Sequence, residues 1–215
     1  MPDSAPRSLS IFRWLIVILA VLILGVIVYR LATPNTVSEA AELRQINIVP
    51  PFALTERSGR TITNQDLRGK IWVADFIYTT CPGPCPIITA GMVKVQAAVA
   101  RDSHVQLVTF TVDPQDDTPA VLAAYANRFG ANPNRWWFLT GPEKQIDDLI
   151  ENGFYQVVQD NRGQPLQPGQ FLVTHSTRLV LVDANGVVRG AYDGIGDDGR
   201  ADLLAGIKTL EKEDQ

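Results

Sequence analysis

Ile71-Trp72-Val73-Ala74-Asp75-Phe76-Ile77-Tyr78-Thr79-Thr80-Cys81-Pro82-Gly83-Pro84-Cys85-Pro86-Ile87-Ile88 is the stretch on which the fold turns. Its first eight residues make a buried-looking strand broken only by Asp75. A turn rich in proline and glycine follows, and it holds both cysteines of the chain, four positions apart. Beyond it, Ile87, Ile88, Met92, Val95 and Val99 recur at helical spacing to about Ala100.

A cysteine motif between a first long strand and its helix sits where thioredoxin-like folds keep theirs. The rest of the chain agrees. Val105–Val112 reads as a second strand, and Asp117-Thr118-Pro119 as a helix start with a polar cap and proline in the first turn. That helix is expected to stop at Gly130. Trp136–Leu139 reads as a short strand and Pro142–Asn152 as a helix ended by Gly153, with Asp160–Gln170 a loop. Thr177–Val182 and Val187–Tyr192 flank Asn185-Gly186, the strongest hairpin signal present, and Asp198–Leu210 closes the chain as a helix. Upstream, Phe52–Thr63 reads as a small hairpin turning at Gly59. The expected fold is therefore α/β: a mixed central sheet flanked by helices over residues 52–215, with an N-terminal hairpin.

Ahead of it, residues 1–13 read as a polar tail and 14–32 as one transmembrane helix. Trp14 to Tyr29 is uncharged and almost wholly apolar. As a helix it covers ~24 Å of a ~30 Å hydrocarbon layer, and Leu31 and Ala32 extend it. Arg13 and Arg30 can reach the headgroups, and Trp14 and Tyr29 stand where interfacial aromatics belong. Residues 33–51 read as a tether. The charge count around the helix does not by itself decide sidedness.

A formal charge of −4 and the lack of a Lys/Arg cluster give no surface for nucleic acid. Two cysteines in 215 residues are too few for a disulfide scaffold. Pro86 suits a first helical position, which puts Cys85 at the N-cap with Cys81 just ahead. The positive end of the helix favours anionic sulfur, the form that binds metal and attacks disulfides. Three readings follow: a soft-metal ligand pair, a thiol–disulfide exchange centre, and a structural disulfide. Two thiolates with one imidazole suit Cu(I) or Zn(II); three donors suffice for Cu(I), whereas zinc takes a fourth. With Met1 and Met92 the only methionines, a methionine-rich copper site is excluded.

Two histidines are available as the third donor. His104 follows Arg101-Asp102-Ser103 in a turn and reads as solvated surface. His175 ends a polar loop and opens an apolar strand; from spacing alone, a structural role fits it as well as a ligand role. Asp113 and Asp117 read as turn and cap residues. Trp136 and Trp137 read as one core and one surface aromatic.

The chain resembles the Sco (SenC) family of membrane-anchored copper-delivery proteins. Gly69-Lys70, Tyr78-Thr79-Thr80-Cys81 and Cys85-Pro86 match its metal-site motif. Thr111-Val112-Asp113-Pro114 with Asp117-Thr118-Pro119 matches a second block, and Leu139-Thr140-Gly141 a third. His175-Ser176 with Leu181-Val182-Asp183 and Gly186 matches a fourth. The likeness spans roughly Phe52 to Leu210. It implies a copper site of Cys81, Cys85 and His175 holding Cu(I), with Cu(II) as a second state. It also implies delivery to the binuclear copper site of cytochrome c oxidase subunit II, with another periplasmic copper carrier as a further partner. The implied location is a bacterial-type inner membrane, single-pass, with the C-terminal domain on the periplasmic or outer face and the 1–13 tail in the cytoplasm. Two departures stand out: Thr174 where many members have aspartate, and Gly83-Pro84 where an acidic residue is common. Such a protein is a metal carrier rather than an enzyme; the competing expectation is a thiol–disulfide oxidoreductase acting on cysteines of the oxidase subunit or another partner.

Overall fold

The computed structural model describes residues 14, 16–25, 44–156, 158–161 and 173–213. The chain divides into two units, residues 1–42 and 43–215. In the first, residues 16–25 are helical (α1), with Ile16, Val17, Ile18, Leu19 and Leu22 exposed. A helix of that length spans only ~15 Å, and no helix among the described residues is long and apolar enough to cross a membrane. The transmembrane helix expected over 14–32 is thus not supported by what is described; residues 15 and 26–32 of it, the 1–13 tail and 33–43 lie outside the described residues.

The second unit is built on a mixed sheet. Its strands are β1 (Asn47–Ile48), β2 (Ala53–Glu56), β3 (Thr61–Thr63), β4 (Ile71–Ile77), β5 (Val105–Thr111), β6 (Trp136–Thr140), β9 (Arg178–Val182) and β10 (Val187–Asp193). They lie in the order β1-β10-β9-β4-β5-β6-β2-β3. β4, β5 and β6 run parallel, and the remaining neighbours pair antiparallel. A second, two-stranded sheet pairs β7 (Val158–Asp160) with β8 (Val173–His175). The helices are α2 (Cys85–Ala98), α3 (Pro119–Arg128), α4 (Glu143–Phe154) and α5 (Asp197–Glu213).

β4 and β5 are buried at every position, as central parallel strands covered on both faces should be. Alternation along them separates two cores. On one face Trp72, Phe76 and Phe110 meet Phe154 of α4 at ring-centroid distances of 5.8, 5.2 and 5.4 Å, and Phe52 closes on Phe110 at 5.9 Å. On the other face Trp136 and Phe138 stack at 5.1 Å, with Tyr125 of α3 against Phe138.

The local signals act as read. Thr118 caps α3, accepting from the Val121 amide at 3.4 Å, with Pro119 next in the first turn. Gly130 stops α3 at φ +65°, and Gly186 turns the β9–β10 hairpin at φ +78°. Three readings need correction. α4 continues through Gly153, and its left-handed terminus falls on Tyr155 at φ +52°. Gly153 is small for packing instead: a Cβ there would lie 2.9 Å from Pro50. Trp137 is buried, at 6 % exposure, beneath the cations of Arg60 and Lys70. Asn47–Ile48, in the stretch read as tether, add an edge strand to β10, and Val49 joins the core.

His104 is exposed in the turn before β5, as expected. It borders an open groove of about 950 Å³ lined also by Asp102 and Lys208. Within it Glu211 of α5 meets Asp102. The hydrogen bond to Asp102, then burial, push the Glu211 carboxyl up to about 7 from its usual 4.5, opposed by Lys208. Asp102 moves down, first through the same bond and then with help from His104 and Arg135. The folded protein thus holds the Glu211 proton more tightly than the unfolded chain. This contribution to stability is full below about pH 4.5 and is lost as pH rises through about 7. Glu211→Gln keeps a donor to Asp102 but removes the titration. The fall in Tm between pH 5 and 7 is expected to flatten in this variant; an unchanged Tm–pH slope would show that the pair is not formed.

Candidate metal centre

β4 delivers the chain into the cysteine turn, and the first polar contacts beyond it are local. The Cys81 amide donates to Tyr78 O at 3.3 Å, closing a turn over Thr79 and Thr80. Pro84 then starts α2, its carbonyl accepting from the amides of Ile87 and Ile88, both at 3.0 Å. Cys85 is the first residue of α2 rather than its cap, with Pro86 beside it in the first turn.

Cys81 and Cys85 are both free thiols, 6 % and 0 % exposed. Each touches the other's field. A hydrogen bond to Cys81 and then burial push the Cys85 thiol far up, against a lowering contact from the Tyr78 backbone. At Cys85 the hydrogen bond to Cys81 and the loss of water thus work against the anionic preference expected of the helix end. Below the pair, Thr89 Oγ1 donates to Cys85 O and meets Tyr125 OH, each at 2.9 Å. Asp75, fully buried in β4, accepts from Thr109 Oγ1 at 2.5 Å, and Thr109 accepts from Trp136 Nε1 at 2.7 Å. Burial pushes the Tyr125 hydroxyl up, and the Asp75 charge adds a smaller upward push there and at Cys85. A lone charge in an otherwise apolar strand was the sequence signal for that buried carboxylate.

Asp117 does not cap α3. Its carboxylate, 1 % exposed, accepts from the Thr79 amide at 3.1 Å and from Thr79 Oγ1 and Thr111 Oγ1 at 2.5 Å each. Asp113, likewise buried, uses its backbone: its carbonyl accepts from the Asp117 amide at 2.9 Å. Met92 is buried in the core.

Topology fixes which end of the sheet the chain after His175 enters. β9 runs antiparallel to β4, with Val182 opposite Trp72 and Val180 opposite Ala74. The start of β9 therefore lies at the end where β4 leaves for the cysteines, and His175 precedes that start by three residues. Two glycines tighten the approach. Gly194 donates its amide to Thr177 O at 3.0 Å, and a Cβ on Gly91 of α2 would stand 3.0 Å from Gly194 O. His175 itself pairs with Val158 across β7 and β8. Its ring, like the side chain of Thr174, lies outside the described side chains. Among the described residues no three His, Cys, Asp or Glu side chains form a metal-holding group.

A mixed sheet with a free dithiol between its first long strand and the following helix defines a thioredoxin-like domain. The sequence profile of the SCO1/SenC family matches residues 40–210. The chain belongs to that family. It is 29 % identical over 163 residues to the SCO1 protein homolog of Bacillus subtilis, covering 75 % of this chain and 81 % of that one. The structure of BsSco, described as a member of the Sco family of cytochrome c oxidase assembly proteins with a disulfide switch, superposes with a TM-score of 0.66. Identity is 29 %, and coverage is 76 % of this chain and 93 % of that one. Bradyrhizobium japonicum ScoI, solved with copper bound, superposes with a TM-score of 0.61 at 27 % identity, over 73 % and 98 %.

Proposed function

We propose that this protein carries copper and delivers it to the binuclear copper site of cytochrome c oxidase subunit II, with Cys81, Cys85 and His175 as ligands. The observation that carries the reading is the pair of buried thiols at the mouth of α2. β9 begins toward the end of the sheet where β4 leaves for the cysteines, and His175 stands three residues before it. Two sulfurs and an imidazole are a soft donor set matched to Cu(I), with Cu(II) accessible as a second state. Proline on either side of Cys85, and Pro82 after Cys81, restrict the loop before the metal arrives. The copper-bound relative supports the choice of metal.

The apolar run from Trp14 to Tyr29 supports a single-pass anchor over 14–32 in a bacterial-type inner membrane. In this reading residues 1–13 are cytoplasmic, the stretch from 33 to about 45 is the tether, and the domain that includes β1 works in the periplasm beside the oxidase subunit and another copper carrier. X-ray absorption on the reduced full-length protein with one equivalent of Cu(I) tests the site: two sulfurs and one nitrogen are expected, and a sulfur-only shell would remove His175.

A second reading has its own support. The two thiols share a hydrogen bond, as a pair poised for disulfide formation would, and the BsSco relative is described with a disulfide switch. A thiol–disulfide reductase acting on cysteines of the oxidase subunit uses Cys81 and Cys85 but not His175. His175→Ala separates the two. Copper affinity is expected to fall at least ~10-fold while the rate of exchange with a small disulfide is retained; unchanged affinity favours the reductase.

A further inference from the structure

We infer that Asp117 is a positioning residue for the cysteine site: its buried carboxylate fixes the turn that presents Cys81. The inference rests on the reading of Cys81 as a functional thiol. Asp117 comes from the loop between β5 and α3, far along the chain from the cysteines, yet it is joined to Thr79, two residues before Cys81. The Thr79 amide reaches both carboxylate oxygens, at 3.1 and 3.3 Å, and the Thr79 hydroxyl reaches Oδ1 at 2.5 Å. Thr111 Oγ1 donates to Oδ2 at 2.5 Å and in turn accepts from the Asp113 amide at 3.0 Å. The carboxylate is thus tied to the end of β5 on one side and to the cysteine turn on the other.

Thr79 is the first inner residue of the turn that the Cys81 amide closes onto Tyr78 O. The parallel ladder of β4 and β5 also continues into this region, with the Val112 amide on Ile77 O at 2.8 Å. Backbone pairing holds the strand end, and Asp117 holds the turn beyond it. Every group facing the carboxylate is a donor, so an acceptor-only side chain fits where an amide does not. An Asn at this position sets its NH2 against either the Thr79 amide or a threonine hydroxyl. Hydroxyls can rotate to accept, whereas the backbone N–H cannot. Asp117 is 1 % exposed, so on its side of the clamp water does not replace the lost acceptor, although Thr79 is half-buried.

The role is local, and its test separates it from general support of the fold. Cys85 is held by α2 through its backbone, and its thiol meets the turn at Cys81 and the Tyr78 backbone. In the metal-free, reduced full-length protein, site-resolved alkylation by iodoacetamide is therefore expected to rise several-fold at Cys81 in Asp117→Asn and clearly less at Cys85. Thr79→Val, which removes one of the donors while keeping the amide, is expected to give a smaller rise at Cys81. Thr79→Ser, which keeps both donors, is expected to restore the parent rate. Equal increases at both cysteines, or no change at either, in both Asp117→Asn and Thr79→Val would overturn the inference, as would a Ser variant behaving like Val. In the copper-loaded parallel, Asp117→Asn is expected to weaken Cu(I) binding on the order of 10-fold. If the parent protein itself binds no copper, the carrier reading fails, while the alkylation series still decides the clamp.

Discussion

Cys85→Ser is expected to abolish Cu(I) loading at one equivalent. The affinity loss should exceed the ~10–100-fold typical of changes in groups that merely support ligands. Cys85 is fully buried at the first position of α2, and serine is close to it in size, so the fold is retained while the soft donor is lost. Of the proposed ligands one thiol and one imidazole then remain, and the hydroxyl is a hard, protonated oxygen at neutral pH. Competition with a chromophoric Cu(I) chelator measures the loss, and circular dichroism checks that the helix persists. Copper retained with parent affinity would remove Cys85 from the site and with it the carrier reading.

Phe110→Ala is expected to cost about 3–5 kcal/mol of stability. Phe110 is fully buried, and its ring lies within 6 Å of those of Phe52, Phe76 and Phe154, at 5.9, 5.9 and 5.4 Å. These partners come from β4, α4 and the segment before β2, three parts of the chain that relax poorly together when the central ring goes. A domain commonly has about 5–15 kcal/mol in total, so the variant sits near the edge of folding. For a domain of this size the drop in Tm is about 6–20 °C. Thermal melts monitored by circular dichroism check it; a loss under 1 kcal/mol would mean the aromatic cluster collapses to fill the gap.

The two expectations differ in how far they were legible before the structure. The cysteine turn was open to reading because its signals are local. Prolines at 82, 84 and 86 restrict φ, an apolar strand precedes the turn, and helical spacing follows it. Asn185-Gly186 and Gly130 were equally plain, since positive φ is a property of single residues. The aromatic cluster was not. Nothing in the periodicity of β4 says that Phe154 will lie over it, because that contact depends on where α4 lands. The cap reading of Asp117 was reasonable for its neighbours in sequence but missed its neighbours in space, Thr79 and Thr111. Trp136 and Trp137 were read as one core and one surface aromatic, and both are buried, because neighbouring strand positions say nothing of Arg60 and Lys70 folding across Trp137. β1 went unseen because a two-residue edge strand has no period of its own.

Sequence alone determined the alternation of strands and helices, the dithiol at the head of α2, and the family blocks that carry the copper reading. Each of these rests on interactions within a few residues, where backbone propensity and side-chain spacing suffice. Only the tertiary structure decided that β9 returns antiparallel beside β4, so that it starts toward the end where β4 leaves for the cysteines. It alone set a carboxylate from beyond β5 against the turn before Cys81. Which strands become neighbours is fixed by the packing of whole faces, a free energy summed over distant residues, and no local stretch of the chain contains it.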